Sequence, residues 1–354
     1  MKTVKERCMT FFRIKNKTAA VCLLVLTALF FTANPLFAQR KITIKLASLV
    51  PENTIWGTAI NRLAADFSRI TSGEVEVIVF HGGTAGTETE VLRRLRMDQI
   101  QAAVLTSIGM GSLVPQIMTL SYPFLIRNND ELNAVMNEVK PDLDNLMQQT
   151  GFVTLAWASA GWVNVFSKGP VIAPADLRTM RLGTNGSDER FDQAFKTMGF
   201  SLAVVPLNDI VIALNANRVD SLYMSPIYAA SSQAFGVAKN MMSLSVSPFM
   251  GGIIINNATW RKIPAKYRDQ LLAACRRVER EIFSSTAKME SDAVSVMVQH
   301  GLVINELTQA QAQEWYNDVS KYENTLGLGS NPVFNRDYYI KIKAILEEYR
   351  RTKK

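Results

Sequence analysis

The chain has 354 residues, with 39 Lys and Arg against 31 Asp and Glu for a net charge of +8, and three cysteines. Much of the positive charge lies in residues 1–38; the 316 residues that follow carry 33 basic against 30 acidic side chains and only Cys275. Composition therefore gives nucleic-acid binding no support and excludes a disulfide within those 316 residues. A segment of this length exceeds one typical core, so two lobes are expected.

Residues 1–38 have the layout of a secretory signal peptide. A basic stretch is followed by an apolar core, and the segment ends on Ala38, a residue small enough for a cleavage site. The apolar run is short for a membrane span, and Pro35 follows it. We expect a cleaved leader and an exported, periplasmic protein.

The next part of the chain alternates strand and helix patterns. Strands are predicted at 41–50, 74–80 and 101–107, with amphipathic helices between them. This β-α-β-α-β order predicts a parallel sheet flanked by helices. Ligands of such sheets bind beyond the carboxyl ends of the strands. Those ends are expected at Val50 to Asn53, His81 to Gly83, and Thr106 to Gly109.

Residues 152–168 are long enough for a strand that leaves one lobe and enters another. The strand and helix pattern then restarts over 171–226, and 251–257 is apolar enough for a buried strand. Residues 264–301 contain no internal Gly or Pro before Gly301, which predicts a helix about 55 Å long that braces both lobes.

The usual catalytic and metal-binding patterns do not stand out. His81 and His300 lack the companions of a metal site or a nucleophilic triad, so both are interpreted as polar loop residues. Cys275 is interpreted as a packed thiol. The glycine-rich HGGTAG and GMG lack the pattern of a phosphate or dinucleotide loop. The sequence therefore indicates neither an enzyme nor a cofactor or metal.

Aromatic residues gather near the predicted crossing between the lobes. Trp157 and Trp56 are expected in the core. Trp162 and Tyr223 lie beside turn-like residues, and for these two the sequence favours a cleft position and a core position equally.

The segment DLRTMRLGTNG, residues 176–186, holds two arginines. Arg178 is expected in a solvated turn, and Arg181 is expected to end the following strand. A charge in such a place needs an anionic partner. From these residues alone, a structural ion pair of Arg181 with Asp188, Glu189 or Asp220 ranks ahead of a ligand contact.

Six blocks in order carry a family resemblance: IKLASLVPENTIWG, GGTAGTETEVLRRLRMDQIQAAVLT, LSYPFLIRNNDEL, PADLRTMRLGTN, IALNANRVDSLYMSP and NNATWRKIPAKYRDQLLAA. Through them the chain resembles the solute-binding proteins of tripartite ATP-independent periplasmic (TRAP) transporters, the DctP-like receptors. The resemblance implies a two-lobed α/β periplasmic-binding-protein-like fold, each lobe a mainly parallel sheet flanked by helices, with crossing strands and a long shared helix. The implied bounds are 39–160 and 248–282 for lobe I, 161–247 and 283–354 for lobe II, and 264–300 for the shared helix.

The resemblance also implies a ligand site and partners. Arg181 matches the arginine that clamps the ligand carboxylate, whereas Val163 stands where sugar-acid receptors place a second arginine. The expected ligand-binding residues are Arg181, Trp162, Asn185, Thr106, Leu207, Tyr223, Met224, Ser225, Asn53 and Val163. This set is more apolar than a sugar-acid pocket, which predicts a monocarboxylate with a hydrophobic body.

The implied partners are the organic acid and membrane permease subunits, and the chain also resembles the subgroup that works with a tetratricopeptide-repeat protein. Two competing functions remain open from the sequence: a ligand-binding module of the same fold that serves sensing or scavenging, and a secreted α/β enzyme.

Overall fold

A computed structural model describes residues 41–186, 188–206, 209–326 and 332–353. The predicted signal peptide and Leu207 lie outside the described residues. The strands are β1 Ile42–Ser48, β2 Val75–Phe80, β3 Ala102–Thr106, β4 Phe152–Ser167, β5 Arg181–Thr184, β6 Ser201–Val204, β7 Ser221–Met224, β8 Asn240–Met242, β9 Ser247–Asn256 and β10 Val303–Asn305.

The helices alternate with these strands. They are α1 Ile55–Ile70, α2 Glu88–Arg96, α3 Ser107–Gly111, α4 Asn129–Gln149, α5 Pro174–Arg178, α6 Glu189–Thr197, α7 Ile210–Asn215, α8 Pro226–Ser231, α9 Asn257–Lys262, α10 Ala265–Gln299, α11 Gln309–Ser320, α12 Glu323–Leu326 and α13 Arg336–Thr352. Short 3₁₀ turns occupy Pro115–Ser121 and Ala234–Gly236.

The first sheet has the predicted β-α-β-α-β order. β1 pairs in parallel with both β2 and β3, so the three strands end at one edge of the sheet. Side-chain caps start the helices: the Thr54 hydroxyl accepts the Gly57 N–H, and Thr87 and Glu90 form a reciprocal capping box. These caps fix where the chain turns from strand to helix at that edge.

Two antiparallel strands, β4 and β9, cross from the first sheet to the second. Over residues 152–163 β4 pairs with β9, and over 164–167 it pairs with β7. The register shifts between Ser159 and Trp162, where Gly161 has a φ of +92° that side-chain-bearing residues rarely adopt. This bulge marks the point where the strand changes sheets. The change agrees with the predicted lobe boundary near residue 160, although the exact bounds of both lobes stay a prediction.

The second sheet is built from short parallel strands. β5 pairs in parallel with β6 on one side and with β7 on the other, and β7 pairs antiparallel with β4. The remaining pair, β8 and β10, is parallel and joins β4 through β8. The two-lobed, mainly parallel α/β architecture is therefore confirmed.

The long helix α10 has 35 residues, about 52 Å at 1.5 Å per residue, and agrees with the predicted span. Leu271, Cys275 and Ile282 pack in the core of the first sheet, whereas Met297 packs in that of the second. The same helix thus contributes to both cores. Cys275 is fully buried, which confirms it as a packed thiol, and burial raises the pKa of this thiol to about 12.

Arg178 departs from its predicted place in a solvated turn. It ends α5, its Nη2 donates to Asp318 Oδ2 at 2.5 Å, and its Nε donates to the Met198 carbonyl. The guanidinium carbon lies 5.2 Å from the centroid of the Phe200 ring. Arg178 therefore ties α11 to the second sheet, because a half-buried guanidinium needs acceptors that a solvated turn would not supply.

Candidate functional site

Two strand edges define the candidate site. In the first lobe the parallel strands β1, β2 and β3 end together, and in the second lobe β5, β6 and β7 do so. The loops and helix starts beyond these ends are where open α/β sheets bind ligands. We call the two edges the lobe I rim, with Leu49–Thr54, His81–Glu88 and Thr106–Gly109, and the lobe II rim, with Thr184–Gly186, Asp188–Arg190, Val205–Pro206 and Ser225–Tyr228.

On the lobe I rim, Thr106 ends β3 as predicted. Its N–H donates to Glu88 Oε1 at 2.5 Å, and its Oγ1 donates to Glu88 Oε2 at 2.8 Å. The Gly109 N–H donates to the same carboxylate. Burial raises the pKa of Glu88 above its usual range, against the effect of these hydrogen bonds. Sequence reasoning missed Glu88, which looked like an ordinary acidic residue in the first turn of a helix.

Two further polar residues of this rim have simpler surroundings. Asn53 is exposed in the turn before α1. His81 places Nε2 2.8 Å from Asn61 Oδ1 and Nδ1 3.3 Å from the Val50 carbonyl. His81 thus links three segments of the first lobe, in agreement with its interpretation as a polar loop residue.

Trp162 and Val163 lie in the crossing strand β4 and are both buried. The Trp162 indole N–H donates to Asn129 Oδ1 at 2.9 Å, and its backbone N–H donates to Glu290 Oε1 at 2.6 Å. Val163 pairs with Ser247 of β9. The polar atoms of Trp162 are therefore satisfied by the protein, while its ring and Val163 add apolar surface at the crossing between the lobes.

Tyr223, Met224 and Ser225 end β7, as predicted for the lobe II rim. The Tyr223 hydroxyl lies 2.7 Å from Ser247 Oγ, and burial raises the pKa of Tyr223. Met224 is buried beside β4, and the Ser225 side chain caps α8. β7 is therefore held against both crossing strands. Of the three predicted residues, Tyr223 and Met224 lie within β7, and only Ser225 lies beyond its end.

The structure corrects the predicted position of Arg181. It begins β5 instead of ending it, and it pairs with Ser201, the first residue of β6. Three residue steps along the strand, about 10 Å, separate it from Thr184 at the lobe II rim. Its side chain is half exposed, with Nε 3.5 Å from Asp220 Oδ2 and an Nη2 hydrogen bond to the Asn217 carbonyl. Arg181 thus makes the structural ion pair with Asp220 that the sequence left open.

The lobe II rim carries a different arginine. Arg190 lies in the first turn of α6, where Nε is 3.0 Å from Asp188 Oδ1 and Nη2 is 2.6 Å from Oδ2. Asp188 raises the pKa of Arg190 and fixes the plane of its guanidinium. Among the described residues of both rims, Arg190 is the only Lys or Arg. Within the described chain its guanidinium makes no side-chain hydrogen bond except those to Asp188, so other guanidinium donors remain available.

Thr184 and Asn185 complete the end of β5. Thr184 Oγ1 is buried and has no hydrogen-bond partner in the described part of the chain, and Asn185 is exposed at the rim. A buried hydroxyl without a partner costs free energy, and a bound ligand or water can relieve that cost.

Within the described residues no group of three or more His, Cys, Asp or Glu side chains is arranged to hold a metal ion. No helix in the described ranges is long and apolar enough to cross a membrane.

Two α/β lobes joined by crossing strands and a shared helix define a solute-binding fold. Residues 46–325 match the family model of the bacterial extracellular solute-binding proteins, family 7 (DctP), and the chain belongs to this family. Its members are solute-binding receptors of TRAP transporters.

The similarity to related proteins extends over most of the chain. The C4-dicarboxylate-binding protein DctB of Bacillus subtilis is 23% identical over 319 residues, which are 87% of each chain. A TRAP periplasmic solute-binding protein of Sulfurospirillum deleyianum with bound succinate has a TM-score of 0.71 at 23% identity, covering 86% of this chain and 98% of that one. One from Sulfitobacter sp. NAS-14.1 with bound β-D-galacturonate has a TM-score of 0.74 at 17% identity, covering 86% and 99%. These structural likenesses support the fold.

Proposed function

We propose that this chain is the periplasmic receptor of a TRAP transporter and holds an organic acid between its lobes for delivery to membrane permease subunits. Family membership over residues 46–325 supports the receptor role. The organic acids bound by related structures support the ligand class. A tetratricopeptide-repeat protein is a further proposed partner, supported only by resemblance in sequence.

The proposed ligand is a monocarboxylate with a hydrophobic body. The observation that carries this proposal is that Arg190 is the only Lys or Arg among the described residues of the two rims, which also hold the acidic residues Glu52, Glu88, Asp188 and Glu189. Trp162, Val163 and Met224 supply apolar surface near the crossing strands. One cation suits one carboxylate, and apolar surroundings favour a hydrocarbon body over a polyhydroxylated one.

Arg190 is the proposed carboxylate contact, in place of Arg181. Its guanidinium is held in plane by Asp188, and it lies on the same rim as Thr184 and Asn185. A planar guanidinium binds a carboxylate through paired hydrogen bonds and stays charged at every physiological pH. The ligand carboxylate would use the donors that Asp188 leaves available.

Calorimetry with three acids tests the ligand class. 4-Methylpentanoate has the length of succinate, with an isopropyl group in place of one carboxylate. We expect it to bind at least about tenfold more tightly than succinate or galacturonate, since a tenfold ratio corresponds to about 1.4 kcal/mol. Tighter binding of galacturonate or succinate would overturn the proposed ligand class.

A matched pair of variants tests the carboxylate contact. Arg190→Gln is expected to weaken 4-methylpentanoate binding by roughly 30-fold or more, the loss of about 2 kcal/mol from a charged hydrogen bond. Arg181→Gln, which also removes an Asp-paired arginine from the same lobe, is expected to change affinity less than about threefold. Melting curves establish that both variants are folded. The opposite ranking of the two affinities would restore Arg181 as the clamp.

A further inference from the structure

The lobe I rim holds two acidic residues: Glu52 is exposed in the turn before α1, whereas Glu88 is partly buried at the start of α2 and is not among the proposed ligand contacts. Its carboxylate accepts hydrogen bonds from the Thr106 N–H, the Thr106 hydroxyl and the Gly109 N–H. A Cβ atom on Gly109 would lie 2.7 Å from Glu88 Oε1, so only glycine lets the carboxylate lie against this backbone. The side chain is thus held at the end of β3, beside the proposed ligand cleft.

Within the described ranges of the chain, no cation balances this carboxylate. Among the described residues, no Lys, Arg or His nitrogen lies within ion-pair distance of Glu88, and its surroundings are three hydrogen-bond donors and burial. By contrast, its helix neighbour Glu90 is exposed and serves the Thr87 capping box. A partly buried carboxylate without a counter-ion makes its surroundings unfavourable for a second negative charge.

We infer that Glu88 determines how many carboxylates the ligand carries, by excluding acids that would place a second carboxylate at the lobe I rim. The inference rests on the proposed function, because it assumes that the ligand lies between the rims with its first carboxylate at Arg190. The backbone and hydroxyl donors at the end of β3 are already occupied by Glu88, so a second ligand carboxylate would find a like charge there and no free donor among these groups.

Substituting Glu88→Gln tests this role. Glutamine keeps the size of the side chain and an oxygen that accepts the Thr106 N–H, while it removes the negative charge. Calorimetry of succinate and 4-methylpentanoate is carried out on the full chain without its leader, for the wild type and the variant. We expect succinate affinity to rise at least tenfold in the variant, with 4-methylpentanoate affinity changed less than threefold.

Glu90→Gln is the matched control: it removes a negative charge from the same helix turn while keeping a capping side chain, and we expect both affinities to stay unchanged. An unchanged succinate affinity in Glu88→Gln overturns the inference, as does an equal gain in Glu90→Gln. Failure of the proposed ligand class has a different signature, the absence of 4-methylpentanoate binding to the wild type. In that case succinate binding by Glu88→Gln still decides the role of Glu88.

Discussion

Replacing Arg350 by alanine is expected to lower the free energy of unfolding by about 3 kcal/mol. Arg350 lies in α13 and binds Glu131 of α4 bidentately, with both N–O distances 2.8 Å, while Nη2 also donates to the Leu125 carbonyl. The Glu131 side chain is only 6% exposed. Removal of one partner leaves a buried carboxylate largely uncompensated, and such losses cost about 3–5 kcal/mol. The value is expected at the lower end because the Arg127 N–H still donates to Glu131.

Arg351 provides the control one residue along the same helix. Its partner is Glu348, and the two side chains are 76% and 59% exposed. Exposed pairs of this kind contribute little, so Arg351→Ala is expected to change stability by about 0.5 kcal/mol or less. Urea unfolding of both variants measures the difference, and equal losses would show that the contact between α13 and α4 does not depend on the buried pair.

The second large effect is a dependence of stability on pH that originates at Glu290. This residue of α10 accepts the Trp162 N–H at 2.6 Å, beside the bulge where β4 changes sheets. Burial raises the pKa of Glu290 from 4.5 to about 7, against the hydrogen bond from Trp162, which lowers it. β4 has no Asp, Glu, Lys, Arg or His, so no residue of the crossing strand offsets the charge of Glu290.

Because the pKa of Glu290 is higher in the folded protein than in the unfolded chain, the folded state binds more protons between about pH 4.5 and pH 7. The stability contributed by protonated Glu290 is therefore present at low pH and is lost as the pH rises through 7. The loss amounts to roughly 3 kcal/mol, from 1.36 kcal/mol for each unit between a pKa of 4.5 and about 7. Glu290→Gln is expected to remove this part of the pH dependence.

Glu279 supplies the comparison for Glu290. It lies on the same helix and accepts the Trp157 N–H of the same strand at 3.1 Å, but it also forms an ion pair with Lys140. Urea unfolding between pH 5 and pH 8 gives the slope of the unfolding free energy against pH. We therefore expect a reduced slope for Glu290→Gln and the wild-type slope for Glu279→Gln. A wild-type slope in Glu290→Gln would contradict the assignment of this pH dependence to the residue.

The long elements were predictable because their patterns are repeated many times. β4 has a continuous run of strand-forming residues, and α10 has 35 residues of helix without an internal Gly or Pro. Arg181 was misplaced because β5 has only four residues and follows a short helix, so no periodicity fixes where it starts. In a strand this short, placing Arg181 at the end instead of the start moves it to the opposite edge of the sheet.

The charged residues of the rims were not predictable for a different reason. Glu88 and Arg190 both lie in the first turn of a helix, where charged residues are common on solvated faces. What distinguishes them depends on the tertiary structure: Glu88 is hydrogen-bonded to Thr106, which is 18 residues away, and Arg190 is the only Lys or Arg among the described residues of the rims. The sequence predicted that ligands bind beyond the ends of the strands, and the fold shows which charged residues lie there.

Mass spectrometry of the small molecule released from the purified, denatured protein tests the central claim most directly. The full chain is expressed with the predicted signal peptide, purified without added ligand, and denatured after extensive dialysis. We expect an organic acid with a single carboxylate and a largely hydrocarbon body, at a stoichiometry that Arg190→Gln lowers and Arg181→Gln does not. A sugar acid or a dicarboxylate retained equally by the wild type and by Arg190→Gln would contradict the proposed ligand and its contact.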